Sequence, residues 1–523
     1  MKFYYNKKTE KLIIKESTSS EYNYLKNYLR KKVDGHEWNP KIKMGIWDGL
    51  IDNFHSGYVD VGLWKRCYEI CRIARRPFEI INKQDFPINN NIEKAHFIKF
   101  VNKFYGGRKN GDGDVFFPYE HQIEAAWKIL RNRYCRIEVA TSGGKTLILS
   151  MVLFYILKHI KDDAKILIIV PSISLVSQFY DDMMDYNLGF FKENKEPLDL
   201  RIMEIMSDKP RKFHGEGEPN FYISTYQSLD NDEVWKKEFF EQFHTVACDE
   251  SHKAKAVTLK RELDKTKGSA FYRFGLSGTY PKDNTTAILD IESVTGPLVM
   301  LVRADYLMKK DLVAGLMIKT ICLDHNDLNF AEKTKNIKKH NPRKALELEV
   351  KYVQDCDQRI DFIVKTLIGK ADKNVLLLFH NIDHGKRLLD HAEYLFPEQE
   401  IHYIDGGVNG KNRKPILARM KIHEPGKPKV LIASYGTLST GISIDAIFYI
   451  IFADSFKSDV VIRQSIGRGL RKHKDKDKVV VFDITDIFNM KSGNGMLYNH
   501  SKARKRIYDE QNYEYKDMKI VLN

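Results

Sequence analysis

Short apolar runs alternate with helical patterns along most of the chain, and this alternation predicts the fold class. Between residues 115 and 300, the runs with the length and composition of buried strands are CRIEVA, AKILIIVP, NFYIST, TVACDE and RFGLSG. The same rhythm returns after residue 345 with NVLLLFH, EIHYIDG, KVLIAS, FYIIFAD and KVVVFDI. Continuously apolar strands interleaved with helices indicate parallel sheets that are covered on both faces. We therefore predict two α/β domains in tandem.

A small domain is predicted ahead of them. It is basic and aromatic, with a strand at KLIIKE and a helix at SSEYNYLKNYLRKKV that Ser20 would cap. A second, basic helix stops before Pro77, and the glycine-rich stretch YGGRKNGDGD then predicts a linker. The predicted class is therefore α/β with a small α+β N-terminal domain.

These patterns also set the predicted domain boundaries. At about 100–200 residues per domain, a chain of this length accommodates three. The predicted segments are an N-terminal domain at 1–104, a linker at 105–114, a first α/β domain at 115–320, a connection at 321–345, and a second α/β domain with a helical C-terminal extension at 346–523.

Net charge indicates the kind of binding partner, and the cysteine content indicates the redox state of the compartment. The chain has 85 Lys and Arg against 70 Asp and Glu, a formal net charge of +15. This excess favours a polyanionic partner such as nucleic acid, with simple solubility as the alternative. The six cysteines form no CxxC pair, which supports neither a zinc ribbon nor a disulfide framework and fits a reducing cytoplasm. The apolar run 147–157 is too short to span a bilayer, so we expect no membrane contact.

The stretch EVATSGGKT joins a predicted strand to that apolar helix, which is the context of a phosphate-binding loop. The backbone N–H groups of Ser142, Gly143 and Gly144 would cradle the β-phosphate of ATP. Lys145 would reach the β- and γ-phosphates, and the Thr146 hydroxyl would ligate Mg²⁺. The full P-loop pattern is incomplete, because valine stands at position 139 where the first glycine is usual. A chance glycine turn is the alternative.

Two carboxylates follow another apolar run in TVACDESHKA. Asp249 would hold Mg²⁺ through water, and Glu250 would orient and deprotonate the attacking water. His252 would link the nucleotide to the nucleic-acid side. A lone acidic pair at a strand end is often only polar capping, but together with a P-loop it predicts nucleotide hydrolysis.

Taken in order, these motifs resemble those of the superfamily 2 helicases of the DExH type, which implies two RecA-like domains and an ATPase. HQIEAA resembles the adenine-reading motif and implies that Gln122 contacts the base. SGT at 277–279 stands where the family often has SAT. VPSISLVSQ and STYQSL resemble motifs that contact the nucleic-acid backbone. The residues implied for that contact are Pro171, Ser172, Gln178, Thr225 and Gln227.

QSIGRGLR matches the family's last motif, QxxGRxxR. The resemblance implies that Arg471 is the arginine finger on the γ-phosphate, with Arg468 as its partner and Gln464 near the nucleotide. The two arginines are three positions apart and would share one face of a helix. Gly467 and Gly469 would permit close approach to the other domain. A solvated basic helix is the alternative.

The resemblance extends nearly end to end to a phage helicase of recombination and repair. It is supported by NPKIKMGIWDGLI, FHNIDHGKRL, ASYGTLSTGIS and the tail YNHSKARKRIYDEQNYEY. STGISI resembles a further helicase motif and implies a nucleotide contact by Gly441. The implied activity is ATP-driven unwinding and remodelling of branched DNA and R-loops. The implied setting is the host bacterial cytoplasm, where the phage-encoded protein binds single-stranded and branched DNA and RNA–DNA hybrids. We favour a monomer, but no motif decides the oligomeric state.

The N-terminal domain supplies further candidates for nucleic-acid contact. Trp38 and Trp47 would stack on bases or, alternatively, belong to a small core. The basic residues expected to contact phosphates are Lys41, Lys43, Arg72, Arg75 and Arg76.

Three other functions share these motifs. A duplex DNA translocase that does not separate strands would use the same motor. An RNA helicase would differ only in its substrate. A nucleotide-regulated binding protein would need neither the general base Glu250 nor the finger Arg471, so these residues argue against it.

Overall fold

The computed structural model describes residues 1–33, 36, 39–87, 90–106, 108–109, 115–188, 197–206, 212–255, 257–281, 285–408, 410–438, 444–489 and 495–522 of the chain. The chain divides into two compact units. Unit 1 comprises Met1–Val139 and Gly144–Val302, and unit 2 comprises Ala140–Gly143 and Arg303–Asn523. In the described part of the chain, no helix is both long and apolar enough to cross a membrane.

The N-terminal part of unit 1 forms its own small sheet with strand order β5-β2-β1-β6. β1 pairs antiparallel with β2 and parallel with β6. Its elements are β1 (Lys2–Asn6), β2 (Lys11–Glu16), α1 (Ser19–Leu29), β3 (Arg30–Lys32), α2 (Pro40–Lys43), β4 (Leu50–Asp52), β5 (Tyr58–Asp60), α3 (Trp64–Ile73), β6 (Glu79–Ile80), α4 (Lys94–Tyr105), β7 (Arg108–Lys109) and β8 (Val115–Phe116).

The predicted strand KLIIKE is confirmed as β2, whereas the predicted helix cap is wrong. Thr18, not Ser20, caps α1. The Thr18 hydroxyl accepts from the Glu21 N–H at 3.2 Å, and the Glu21 carboxylate accepts from the Thr18 N–H at 2.8 Å. This reciprocal pair satisfies two otherwise unpaired donors at the start of the helix. Of the predicted linker 105–114, Tyr105 ends α4, while 107 and 110–114 lie outside the described residues.

The rest of unit 1 is an α/β layer structure. Over the described residues its sheet has the order β12-β11-β13-β10-β14-β15-β9-β16, and the strand pairs are parallel apart from β11 with β12. Its elements are α5 (Glu120–Asn132), β9 (Tyr134–Val139), α6 (Lys145–Tyr155), β10 (Ile166–Val170), α7 (Ile173–Leu188), β11 (Ile202–Ile205), β12 (Lys212–His214), β13 (Phe221–Thr225), α8 (Lys237–Glu241), β14 (Thr245–Asp249), α9 (Val257–Asp264), β15 (Tyr272–Ser277), α10 (Thr286–Thr295) and β16 (Leu298–Val302).

Unit 2 contains a second parallel sheet. Its described strands have the order β19-β20-β18-β21-β22-β17-β23. Its elements are α11 (Ala304–Lys309), β17 (Gly315–Asp324), α12 (Leu328–His340), α13 (Pro342–Asp355), α14 (Asp357–Asp361), β18 (Val375–Phe379), α15 (Ile382–Leu395), β19 (Ile401–Ile404), α16 (Gly410–Met420), β20 (Val430–Ser434), α17 (Tyr435–Leu438), β21 (Tyr449–Phe452), α18 (Asp459–Gly469), β22 (Lys478–Ile487), α19 (Met496–Glu510) and β23 (Tyr515–Val521).

The two parallel sheets and the small N-terminal sheet confirm the predicted fold class, and the predicted apolar strands are confirmed as β9, β10, β13, β14, β15, β18, β19, β20, β21 and β22. The boundary between the two α/β domains needs correction. β17 pairs with β22 and β23, so it belongs to the second sheet and not to the predicted 115–320 domain or the 321–345 connection. The C-terminal extension likewise ends in a sheet strand and is not purely helical.

Buried ion pairs hold the N-terminal sheet against the α/β part of unit 1. The Glu10 carboxylate pairs with the Arg273 guanidinium, and the two side chains are 0% and 1% exposed. Glu10 also accepts from the Gly268 N–H at 2.8 Å and from the Tyr134 hydroxyl at 2.7 Å. A second pair joins Arg66 to Glu292 at 3.0 Å. A buried charge that is fully paired and hydrogen-bonded is tolerated, but removal of one partner leaves the other uncompensated.

We therefore expect Glu10→Ala to destabilise unit 1 by about 3–5 kcal/mol, because Arg273 would stay buried without its carboxylate. The free energy of unfolding is measured by urea titration followed by circular dichroism. The control is Glu16→Ala, which breaks an exposed pair with Lys2, and we expect no measurable change for it. Equal stability of the two variants would contradict this account of the interface.

Candidate nucleotide and nucleic-acid site

The predicted motifs of unit 1 meet at one edge of its sheet. The strands β13, β10, β14, β15 and β9 are consecutive neighbours and run in parallel, so their carboxyl ends lie along the same edge. In an open parallel sheet, this edge is where ligands bind. The motif residues that end or follow these strands are Thr225, Pro171, Asp249, Ser277 and Lys145.

The loop between β9 and α6 makes a tight turn just before the helix, as phosphate-binding loops do. Ser142 and Gly144 have positive φ values of 70° and 83°, and Gly144 directly precedes the first residue of α6. A Cβ on Gly144 would lie 2.1 Å from the Nε2 of Gln122, so only glycine permits this approach. Gln122 is 4% exposed, and its Oε1 accepts from the Tyr119 N–H at 2.8 Å. The structure therefore places the predicted base-contacting glutamine against the loop.

Lys145 begins α6 and faces the carboxylate that follows β14. Its Nζ lies 3.4 Å from Oε1 of Glu250. The other oxygen of that carboxylate, Oε2, lies 3.1 Å from Nδ1 of His252 and 3.2 Å from Oγ of Ser277. The Ser277 hydroxyl lies 2.7 Å from the carbonyl of Thr279. Lys145, Glu250 and His252 are thus brought together as predicted. Ser277, the first residue of the SGT segment, contacts both Glu250 and the last residue of that segment, Thr279.

The pKa values of the two adjacent carboxylates, Asp249 and Glu250, are shifted in opposite directions. Burial and the neighbouring Glu250 charge raise the pKa of Asp249 well above its usual range. Burial also opposes ionisation of Glu250, but Lys145 and His252 outweigh it, so the pKa of Glu250 lies below its usual range. Glu250 is therefore the ionised member of the pair. While it is paired with Lys145 this carboxylate is a weak base, and it would become a stronger one once the Lys145 ammonium moved away from it.

The donors near this pair suit a magnesium ion. Mg²⁺ prefers oxygen ligands and usually keeps several waters, so it needs only one or two protein groups. A divalent cation would favour the ionised form of Asp249, which its surroundings otherwise disfavour, and the Thr146 hydroxyl follows Lys145 on α6. Among the described residues, no three or more His, Cys, Asp or Glu side chains cluster in a way that could form a closed metal cage.

The predicted backbone-contacting residues follow β10 and β13, whose ends pair at Val170 and Thr225. Gln227 is exposed, Ser172 and Gln178 are partly exposed, and Pro171 is buried. Thr225 is 2% exposed, and its Oγ1 lies 2.8 Å from Oγ of Ser228, within a turn. Thr225 is therefore positioned to shape this turn, while its neighbours are open to a ligand.

In unit 2, α18 contains Gln464 and Arg468 but ends at Gly469. Arg471 lies beyond the helix and pairs with Asp445 at 3.5 Å, so the prediction that both arginines share one helical face is wrong. Gly469 was predicted to permit close approach to the other domain, but it packs against the sheet of unit 2. A Cβ at this position would lie 2.7 Å from Val479 on β22 and 2.9 Å from Ile450 on β21. Gly441 lies outside the described residues.

The basic N-terminal candidates belong to two segments, α2 and the end of α3. Lys41 and Lys43 are exposed on α2, beside Met44 and Ile46, which are each 70% exposed. Arg72, Arg75 and Arg76 are exposed at the end of α3.

The two tryptophans have different outcomes. Trp47 is partly buried, and its Nε1 donates to the Leu50 carbonyl at 3.0 Å, which favours its interpretation as a packed residue. Trp38 lies outside the described residues.

Sequence analysis did not select Ser277 as a site residue, although its hydroxyl is central to the site. A serine that ends an apolar strand has no distinctive pattern of its own. The only signal was its place in the SGT segment, one predicted strand after DESH.

The chain is similar in sequence to known helicases and to a restriction-enzyme subunit. The family description "Type III restriction enzyme, res subunit" matches residues 116–282, and "Helicase conserved C-terminal domain" matches residues 358–473. The ATP-dependent DNA helicase uvsW of Enterobacteria phage T4 is 28% identical over 516 residues, which covers 95% of each chain.

Two solved structures share the fold. The DNA-bound Type ISP restriction-modification enzyme LlaBIII gives a TM-score of 0.55 at 16% identity, over 86% of this chain and 34% of its own. A putative HsdR subunit of a type I restriction enzyme from Vibrio vulnificus YJ016 gives 0.54 at 13% identity, over 90% of this chain and 76% of its own. At these identities the likeness concerns the fold alone.

Proposed function

We propose that this chain is a superfamily 2 helicase, similar to the T4 UvsW helicase, and that it uses ATP hydrolysis to translocate on and remodel branched DNA. The observation that carries the proposal is the set of contacts among Lys145, Glu250, His252 and Ser277 beside the phosphate-type loop. Such a set favours hydrolysis over mere binding, because it holds an ionised carboxylate next to the lysine that would move to the phosphates.

ATP would occupy the loop with its base against Gln122 and its phosphates at the start of α6. Lys145 would then turn from Glu250 to the phosphates, and Oε1 of Glu250 would become free to accept the proton of the attacking water. His252 and Ser277 would hold the other oxygen, Oε2, and keep the carboxylate oriented. Mg²⁺ held by Thr146 and Asp249 would neutralise charge on the phosphates.

The family resemblance supplies the second half of the catalytic groups. Arg471 and Arg468 would stabilise charge on the γ-phosphate, with Gln464 near the nucleotide. A planar guanidinium that is always charged suits this task better than an ammonium group. By the same resemblance, hydrolysis would be coupled to a conformational change that completes this set of catalytic groups.

Nucleic acid would be held mainly through its backbone, because a translocase must tolerate any sequence. The predicted contacts along β10 and β13 fit this role through Ser172, Gln178 and Gln227, which are open to a ligand. Lys41 and Lys43 would add phosphate contacts from the N-terminal part, next to the exposed Met44 and Ile46. The net charge of +15 agrees with a polyanionic partner.

We expect the double variant Lys41→Ala with Lys43→Ala to weaken binding to every DNA sequence alike. Removing one lysine–phosphate interaction should reduce the steepness of log K against log salt by about 0.9 on duplex, so about 1.8 for the pair. Fluorescence anisotropy over a salt series gives this slope. The control removes two exposed lysines of unit 2, Lys370→Ala with Lys427→Ala, which should leave the slope unchanged. A similar drop in both would show a net-charge effect only.

A second function is favoured by one observation. The match of residues 116–282 to a restriction-enzyme subunit suggests a motor that moves along duplex DNA without separating strands. Either motor would use the same nucleotide site. The two motors differ in their products. The remodelling helicase separates or exchanges DNA strands, whereas the duplex translocase only displaces molecules that are bound to the duplex.

The test is strand exchange on labelled substrates. The full chain is incubated with ATP and a four-way DNA junction, a forked duplex, an R-loop, or a duplex carrying a third strand, and Lys145→Ala is the control. Resolution of the junction, the fork or the R-loop, abolished in Lys145→Ala, supports remodelling. Release of the third strand without any separation of the duplex strands would contradict remodelling and support translocation along duplex DNA. An RNA duplex is tested in parallel, and its separation with no reaction on any of the other four substrates would move the protein to RNA metabolism.

A further inference from the structure

Unit 2 contains a thiol, an imidazole and a carboxylate in a row, Cys356, His325 and Asp486, and these residues are not part of the proposed nucleotide site. Sγ of Cys356 lies 3.8 Å from Nδ1 of His325, and Nε2 of His325 lies 2.9 Å from Oδ1 of Asp486. The side chains of His325 and Asp486 are 2% and 1% exposed, whereas Cys356 is only partly buried. The thiol is therefore the member of the row that a small molecule can reach.

The buried end of the row is held rigidly. Arg359, which is fully buried, binds both oxygens of Asp486 at 2.8 and 3.1 Å. The His325 ring stacks on Phe488 with ring centres 5.5 Å apart and meets the edge of Tyr352 at 5.3 Å. With Nε2 fixed on the carboxylate, the ring presents Nδ1 to the sulfur. This is the order nucleophile, imidazole, carboxylate that activates catalytic thiols.

The electrostatics agree with this geometry. Burial opposes charge on His325, but hydrogen bonds to Asp486 and Cys356 outweigh it and raise the pKa of the imidazole to about 9. Burial also opposes ionisation of Cys356, yet its contacts with His325 and with the Arg359 N–H bring the pKa of that thiol below its usual value. Charged imidazole and thiolate thus stabilise each other.

The same unit offers an internal comparison. Cys322 is also partly exposed, but it faces Asp486 and Asp324 without an intervening imidazole, and burial with these charges raises the pKa of its thiol to about 11. The other four cysteines, Cys67, Cys71, Cys135 and Cys248, are buried.

Groups from each neighbouring element bear on the Cys356 thiol. Asp355 and Asp357 flank it in sequence and lie 3.6 and 2.8 Å from Arg387, so their charges are partly compensated. The titratable and charged groups around the thiol are His325, Asp486, Arg359, Tyr352, Asp355, Asp357 and Arg387.

We propose that Cys356 is a reactive thiolate and the site at which this protein is reversibly modified by small-molecule disulfides. The Cys356 thiolate attacks one sulfur of the disulfide, and a new S–S bond forms as the original S–S bond breaks. The departing sulfur leaves with the bonding electron pair as a thiolate, so one disulfide is exchanged for another and no further oxidant is consumed. The inference does not depend on the nucleotide site or its motor activity.

The test uses the reduced full-length chain and the aromatic disulfide 5,5′-dithiobis(2-nitrobenzoate), whose released thiolate absorbs visible light. Stopped-flow traces between pH 5.5 and 9 count the thiols in each kinetic phase. We expect a single thiol to react in a fast phase that persists at lower pH than the others. Iodoacetamide at pH 6.5 with peptide mass mapping of the wild-type chain should identify that thiol as Cys356.

Matched variants assign the cause. Cys356→Ser should abolish the fast phase, and Cys322→Ser should leave it intact. His325→Gln should move the phase to higher pH, and each unit of that shift lowers the thiolate fraction about tenfold below the midpoint. Absence of a fast phase, mapping to Cys322, or a pH midpoint unmoved in a folded His325→Gln variant would each overturn the proposal. The wild-type mapping gives a result even where a variant fails to fold.

Discussion

Replacing Arg471 with alanine is expected to lower ATP turnover by a factor of about 10³–10⁵ while nucleotide still binds. The reason is that an arginine finger acts on charge that develops only in the transition state. In this structure the guanidinium lies 3.5 Å from Asp445, an exposed partner that it can leave at small cost. Steady-state phosphate release with saturating DNA measures the effect, and binding of a fluorescent ATP analogue measures retention of the nucleotide.

Two further variants separate the finger from general charge. Lys472→Ala removes the adjacent positive charge, which pairs with Asp311 at 3.1 Å, and we expect turnover within about twofold of the wild type. Arg471→Lys keeps the charge but removes the planar fork, so most of the defect should remain. Turnover near wild type in Arg471→Ala would remove this residue from the catalytic set.

The second large effect is expected for Glu250→Gln. Loss of a general base typically costs about 10²–10⁴ in rate. The amide is close in shape to the carboxylate and can still meet His252 and Ser277, so the fold of the site should survive. Lys145 would be without its charged partner and freer to bind phosphate, so affinity for nucleotide should be unchanged or higher.

Single-turnover hydrolysis of ATP checks this prediction, with binding of the fluorescent analogue in parallel. Glu238→Gln, an exposed change elsewhere in unit 1, serves as the control and should be indistinguishable from wild type. Rapid hydrolysis by Glu250→Gln would show that another group takes the proton. Loss of nucleotide binding would show instead that the carboxylate is structural.

Sequence patterns predict the central strands well because burial on both faces leaves a continuous apolar run. β18, for example, is VLLLF and fully buried. The edge strand β23 is not predicted, for the same reason, although the edge strand β19 is. β23, YKDMKIV, is largely exposed, so its residues need not be apolar and give no run. β17 contains apolar residues that suggest a strand, but only its pairing with β22 shows which sheet it joins.

The docking of the N-terminal sheet could not be predicted, because it depends on partners distant in sequence. Glu10 and Arg273 are separated by 263 positions. Glu10 looks locally like an ordinary surface charge, and nothing around Arg273, at the start of a predicted strand, indicates its partner. By contrast, the motifs impose spacing on the chain, and this made it possible to predict that Lys145, Glu250 and His252 lie together. Spacing did not reveal that Ser277 completes the set, or that α18 stops before Arg471.

The central claim is that nucleic acid drives ATP hydrolysis at the site built around Lys145. Steady-state hydrolysis by wild type and Lys145→Ala, with no nucleic acid, single-stranded DNA, a branched DNA junction or single-stranded RNA, tests it most directly. The account predicts strong stimulation by DNA, greatest on the junction and abolished in the variant. Absence of hydrolysis under all four conditions would contradict it and leave a nucleotide-regulated binding protein.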